Sequence, residues 1–123
     1  MSYPGLSVVR ESKDRAEVVR VSGEVDLYTV PDFDCALQEA VGQGGATVIV
    51  DLSMISYLDS SGLSSLVSAY KRLSAGGGAM FVVASSLTPS VRRALEITRL
   101  DALVNVCDSF EYALNEMHMR RLA

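Results

Sequence analysis

Between residues 46 and 75 the chain runs "ATVIVDL", then a polar break that ends in "DSSG", then "LSSLVSAYKRLSA". No other stretch limits the fold as much. The first run is apolar without alternation, which suits a strand covered on both faces. After the break, Leu63, Leu66, Val67, Tyr70 and Leu73 fall at i, i+3, i+4, i+7 and i+10, a helical stripe. Gly76, Gly77 and Gly78 stop that helix, and a second apolar run, "AMFVVAS", follows at 79–85. Strand, helix and strand in this order imply parallel strands joined by a right-handed crossover. The chain therefore reads as α/β.

The flanks extend the pattern. "LSVVR" (6–10) and "AEVVRVSGEV" (16–25) read as strands, and the polar "ESKDR" between them predicts an antiparallel hairpin. "TVPDFDCALQEAVG" reads as a helix with Thr29 as N-cap and Asp32 three residues on, as in a capping box. Pro31 is tolerated in the first turn. Val30, Phe33, Leu37, Ala40 and Val41 share a face, and Gly42, Gly44 and Gly45 end the element. Thr88 and Pro89 open "TPSVRRALEI" as cap and first helical residue. "ALVNVC" (102–107) reads as a short last strand. Asp108 then caps "SFEYALNEMHMRR", whose Phe110, Ala113, Leu114 and Met117 lie together. The predicted fold is a mixed, mostly parallel sheet with an N-terminal antiparallel hairpin and about four helices. The length of 123 residues fits one domain, 1–123, with its core at about 6–118.

Composition removes several function classes. The chain is 49% hydrophobic and 21% charged, enough for an ordinary core. No apolar run approaches the roughly 18 residues of a membrane span, and "MSYPGLSVVRESKDR" has no apolar leader core, so a cytoplasmic protein is expected. The net charge of −4 argues against nucleic-acid binding. Cys35 and Cys107 stand far apart among apolar neighbours and are expected as reduced core thiols. A single His118, read as a surface residue, offers no zinc cluster. Asp32 and Asp34 point about 200° apart on a helix, so Asp26, Asp32 and Asp34 do not converge on a metal. No cofactor is implied. Asp51 ends a central strand as a receiver-domain acceptor would, but "VCDSF" lacks the lysine that such a domain needs. Ser61 lacks a nucleophile elbow, and nothing places His118 beside it as a base. The chain is not read as an enzyme.

In α/β sheets functional groups collect at the carboxyl ends of the strands. Two loops lie there: "GEVDLYT" after the second strand and "SYLDSSG" after the third. Asp59, Ser60 or Ser61 could each cap the helix that begins near Ser61. The same helix N-terminus would also welcome a phosphate.

These stretches carry a resemblance. "VSGEVDLYT" at 21–29, "VIVDLSMISYLDSSGLSSLVSAYKRL" at 48–73 and "GGGAMFVVASSLTPSVRRALEITRLDAL" at 76–103, in that order, resemble the STAS-domain family and its bacterial anti-anti-sigma factors (anti-sigma factor antagonists). The resemblance covers nearly the whole chain. It implies that Ser60, the first serine after the aspartate, is a phosphoacceptor. It implies a docking surface of Gly23, Glu24, Asp26, Tyr28, Thr29, Asp59, Ser61, Gly62, Leu63 and Ser64. The implied partners are an anti-sigma factor of the GHKL serine-kinase type and a phosphatase. The implied function is partner switching, in stress response or sporulation, which frees a sigma factor until Ser60 is phosphorylated. The alternative within the family is a phospho-regulated docking subunit of a stressosome-like or transporter-associated complex. A dimer is left open. Many relatives have a glycine where "ITRL" has Arg99, which puts the local loop shape in question.

Overall fold

The computed structural model describes residues 2–3, 5–42, 47–85 and 89–122. Six strands form one sheet in the order β1-β2-β3-β4-β5-β6. They are β1 (Ser2–Tyr3), β2 (Leu6–Lys13), β3 (Ala16–Val25), β4 (Thr47–Leu58), β5 (Ala79–Val83) and β6 (Asn105–Cys107). The helices are α1 (Val30–Gly42), α2 (Ser60–Ala75), α3 (Pro89–Ile97) and α4 (Phe110–Leu122). The pairs β1–β2 and β2–β3 are antiparallel, and the remaining three are parallel.

Each parallel strand lies beside its predecessor, so right-handed crossovers bring α1, α2 and α3 to one face. That face holds the larger core: Val19, Val21, Phe33, Leu37, Val50, Ile55, Leu66, Val82, Leu95 and Leu100 are all buried there. On the opposite face Ala113 and Met117 of α4 close over Val18, Ile49, Phe81 and Cys107. The alternating sides of β5 serve two cores, Met80 and Val82 one and Phe81 and Val83 the other, which is why its residues are apolar without a break.

Several expectations need correction. β4 runs on to Leu58, past the expected end at 52, and stays paired with β3 through two register shifts. Bulges let a strand continue where simple alternation fails. Residues 102–104 are not strand. A 3-10 turn, Leu100–Ala102, precedes a last strand of only three residues. The β2–β3 turn is tighter than "ESKDR", with Asp14 and Arg15 both at positive φ (52° and 69°). Arg99 stands at φ 59°, a left-handed conformation that glycine adopts without strain, so the residue the family resemblance implied there has a backbone reason. Cys107 is buried as expected, but Cys35 is exposed and donates from its thiol to Glu39 Oε1 (3.0 Å). The buried stripe of α1 is Phe33, Ala36, Leu37, Ala40 and Val41, and Cys35 lies off it. The two thiols are free. His118 is exposed, 3.6 Å from Asp14. Thr88, Gly44, Gly45 and Ala46 lie outside the described residues.

Candidate functional site

The carboxyl ends of β3 and β4 are side by side: Val25 pairs with Leu58, and the Asp59 amide donates to the Val25 carbonyl (3.1 Å). The two loops singled out in the sequence therefore leave the sheet together, with Asp26 and Ser60 at the same end.

The first loop is tied by its own polar groups. Asp26 Oδ1 accepts from the Tyr28 and Thr29 amides (2.9 and 3.0 Å), and the Asp26 carbonyl accepts from Val30 (2.8 Å). The Thr29 hydroxyl accepts from the Asp26 amide (2.9 Å) and donates to the Glu24 carbonyl (2.8 Å). Thr29 was expected to cap α1. It is buried instead as the loop's central tie, and Asp26 supplies the turn that starts the helix. The expected capping box is absent, because the Thr29 amide is already held by Asp26. Leu27 and Tyr28, between the tied residues, point outward and are 70% and 78% exposed. Gly23, at φ 103°, sits under the loop, and a Cβ there would fall on the Gly5 carbonyl.

In the second loop Asp59 is the N-cap of α2, with extended backbone (φ −97°, ψ −173°). Its Oδ1 accepts from the Ser61 and Gly62 amides (3.0 and 3.2 Å) and from the Ser61 hydroxyl. Burial would raise the Asp59 carboxyl. The Ser61 hydroxyl, the Gly62 and Ser61 amides and the Leu27 amide outweigh it and hold the group below the usual carboxylate range. One carboxylate thus closes α2, and the amide of the same residue ties α2's start to the end of β3 through the Val25 carbonyl. Gly62 is buried, and a Cβ would strike the side chains of Leu58 and Val25; side chains, not a second backbone, make the close approach.

The two serines differ in kind. The Ser61 hydroxyl is engaged by Asp59. Ser60 is exposed, and its hydroxyl has no hydrogen-bond partner among the described residues. Ser60 also opens a groove of about 590 Å³ along α2, whose floor is Leu63 and Val67, with Ser64, Ser68, Lys71 and Thr98 at its sides. Of the other residues expected here, Glu24 and Ser64 are exposed and Leu63 is half-buried. Thr29 and Gly62 lie beneath the surface and shape it from below. Sequence reasoning missed Leu27, and with it Met54 and Tyr57 on the extension of β4, which are 73% and 48% exposed. An apolar residue in a loop reads as core until the loop's hydrogen bonds are known. Among the described residues no group of acids, cysteines or histidine could hold a metal ion, and no helix is long and apolar enough to cross a membrane.

Comparison with known proteins bears on the same region. The sequence matches the STAS domain family over residues 7–113. It is 31% identical over 106 residues to the anti-sigma-B factor antagonist of Staphylococcus aureus (strain NCTC 8325 / PS 47), covering 86% of this chain and 96% of that one. The crystal structure of an anti-sigma factor antagonist from Mycobacterium paratuberculosis superposes with a TM-score of 0.84 at 32% identity, over 94% of this chain and 97% of the other. The unphosphorylated anti-sigma factor antagonist SpoIIAA shares the fold, with a TM-score of 0.73 at 23% identity over 91% and 98%.

Proposed function

The chain belongs to the STAS-domain family, among the anti-sigma factor antagonists, and from that premise we propose that it binds an anti-sigma factor of the GHKL kinase type and is switched off by phosphorylation of Ser60. In the unmodified form the two loops dock on the anti-sigma factor and free a sigma factor. The bound kinase then transfers phosphate. Ser60 Oγ attacks the γ-phosphorus of ATP, the bond to ADP breaks, and the hydroxyl proton passes to a base on the kinase. A phosphatase returns the serine by hydrolysis.

The observation that carries this reading is the contrast between adjacent hydroxyls. Ser60 is exposed and unengaged at the first position of α2, whereas Ser61 is held by Asp59. A phosphate on Ser60 adds roughly −1.5 to −2 charge beside the Asp59 carboxylate. It would have to be desolvated to stay inside a packed interface. A coupling of about 1–3 kcal/mol lowers affinity roughly 5- to 150-fold, with no change of fold required. The test is incubation with purified GHKL-type anti-sigma factors and ATP, followed by mass spectrometry. Label on Ser60, and none on Ser60→Ala, is the expected result. Label on Ser61 in the Ser60→Ala protein would refute the assignment.

A further inference from the structure

Charge is distributed unevenly along the chain. From residue 21 to residue 70 there is no Lys, Arg or His, while the same stretch holds Glu24, Asp26, Asp32, Asp34, Glu39, Asp51 and Asp59. Glu39 is paired with Arg10, and Asp51 with Arg20. Glu24, Asp26, Asp32, Asp34 and Asp59 have no ion-pair partner among the described residues. Two of them, Glu24 and Asp26, lie at or next to the loop that exposes Leu27 and Tyr28, and Asp59 follows the neighbouring strand end, its amide donating to the Val25 carbonyl (3.1 Å).

The loop has the physical form of a binding anchor. Its backbone is braced on both sides of Leu27 and Tyr28 by Asp26 and Thr29. Little entropy remains to be lost when it is gripped. Tyrosine offers large apolar area with few rotatable bonds, which is why it concentrates at interface hot spots. Exposing two large side chains on a braced loop does nothing for the chain's own core. Unpaired carboxylates around them would repel an acidic partner and attract a basic one.

We propose that Leu27 and Tyr28 are the anchor by which this end of the molecule docks, and that the partner protein receives them in an apolar pocket edged by Lys or Arg. The proposal rests on the docking role assigned above, and it separates two jobs. Leu27 and Tyr28 hold the partner, and Ser60 releases it. The groove along α2 is a rival holding surface, but it carries Lys71 and no carboxylate. It therefore lacks the charge that would draw a basic partner.

The probe is the purified GHKL-type anti-sigma factor that binds the intact chain in a calorimetric screen. Against it, Leu27→Ala with Tyr28→Ala is expected to lose at least 100-fold in affinity with an unchanged melting temperature, since both side chains are exposed. Tyr28→Phe, which keeps the ring, stays within threefold. Ser68→Arg, which obstructs the groove, also stays within threefold. Affinity falls as NaCl rises from 50 to 300 mM, and Glu24→Gln flattens that dependence. The anchor is refuted if the double variant binds within threefold of the parent or if Ser68→Arg abolishes binding; a flat salt dependence refutes the basic edge. Failure of the switch looks different: the Ser60-phosphorylated protein then binds as the parent does, while the anchor variants still lose affinity.

Discussion

The two ends of the parallel strands handle charge in opposite ways. At the hairpin end, acids and bases are interleaved. Arg10 bridges Glu39 and Glu17 (2.8 and 3.0 Å), Arg20 meets Glu11 (2.6 Å), and Ser12 adds a hydroxyl to Glu17. At the carboxyl end the carboxylates of Asp26 and Asp59 are satisfied by amides and hydroxyls instead. Their hydrogen-bonding capacity is filled while their charge stays unneutralised. The first arrangement makes a quiet surface. The second makes rigid loops with a single-signed field, and it leaves Leu27 and Tyr28 outside. Satisfying a carboxylate and neutralising it are different operations, and the loops after β3 and β4 do only the first, whereas after β5 and β6 Arg92 pairs with Asp108.

The contrast is broken most severely at Gly23. A Cβ there meets the Gly5 carbonyl at a positive φ, so both backbone strain and overlap oppose it. Gly23→Ala should cost about 3 kcal/mol or more, read as a lower urea midpoint. The hairpin end predicts the reverse sign. Arg15 stands at φ 69° with a side chain that disfavours it, so Arg15→Gly should stabilise by up to about 1 kcal/mol. If both substitutions destabilise equally, the carboxyl end is no more tightly built than the turn.

Asp59 sharpens the point. Asp59→Ala removes the cap of α2 and should cost about 1–2 kcal/mol at neutral pH. The folded carboxyl titrates below its unfolded value. Its stabilisation is therefore complete above the ordinary aspartate value of about 3.9 and is lost as pH falls through the lower, folded value. Melting temperatures of parent and variant should converge below that range and separate above it. A gap that does not change with pH would mean that the Asp59 charge contributes nothing. By comparison, Glu39→Gln at the hairpin end removes one exposed ion pair and should change stability by less than about 0.5 kcal/mol.

The same contrast explains what could be read from the sequence. Apolar runs, alternating or continuous, disclose β2 to β5, and 3.6-residue stripes with cap and first-turn residues disclose the four helices, because these signals lie along each element's own chain. Asp59 was among three residues able to cap α2; choosing among them needed the angle at which β4 delivers the chain. Thr29 obeys the capping rule in sequence and breaks it in space, since the preceding Asp26 had already taken its amide. Cys35 sits among apolar letters but one position off the buried stripe of α1. Leu27 and Tyr28 carry no periodic signal at all. Their exposure follows from the hydrogen bonds that Asp26 and Thr29 make within the loop, which no periodic pattern records.

The smallest effect on stability is expected at Ser60. Asp59 already caps α2, and the Ser60 hydroxyl has no partner to lose, so Ser60→Ala should shift stability by less than about 0.5 kcal/mol. Ser60→Asp places an anion on the first turn of α2, where the helix dipole favours it by about 0.3–1 kcal/mol, partly offset by Asp59 next to it. Both variants should therefore fold as well as the parent, so weaker binding by Ser60→Asp would not reflect unfolding. The expected order of affinity for the anti-sigma factor is parent equal to Ser60→Ala, then Ser60→Asp, then phosphorylated Ser60. Aspartate comes between because it carries about one charge where phosphate carries roughly 1.5 to 2 and three acceptor oxygens. Titration of the four forms at one salt concentration decides it. Ser60→Asp binding as tightly as the parent while phosphate abolishes binding would place the switch in the size and geometry of the phosphate rather than its charge.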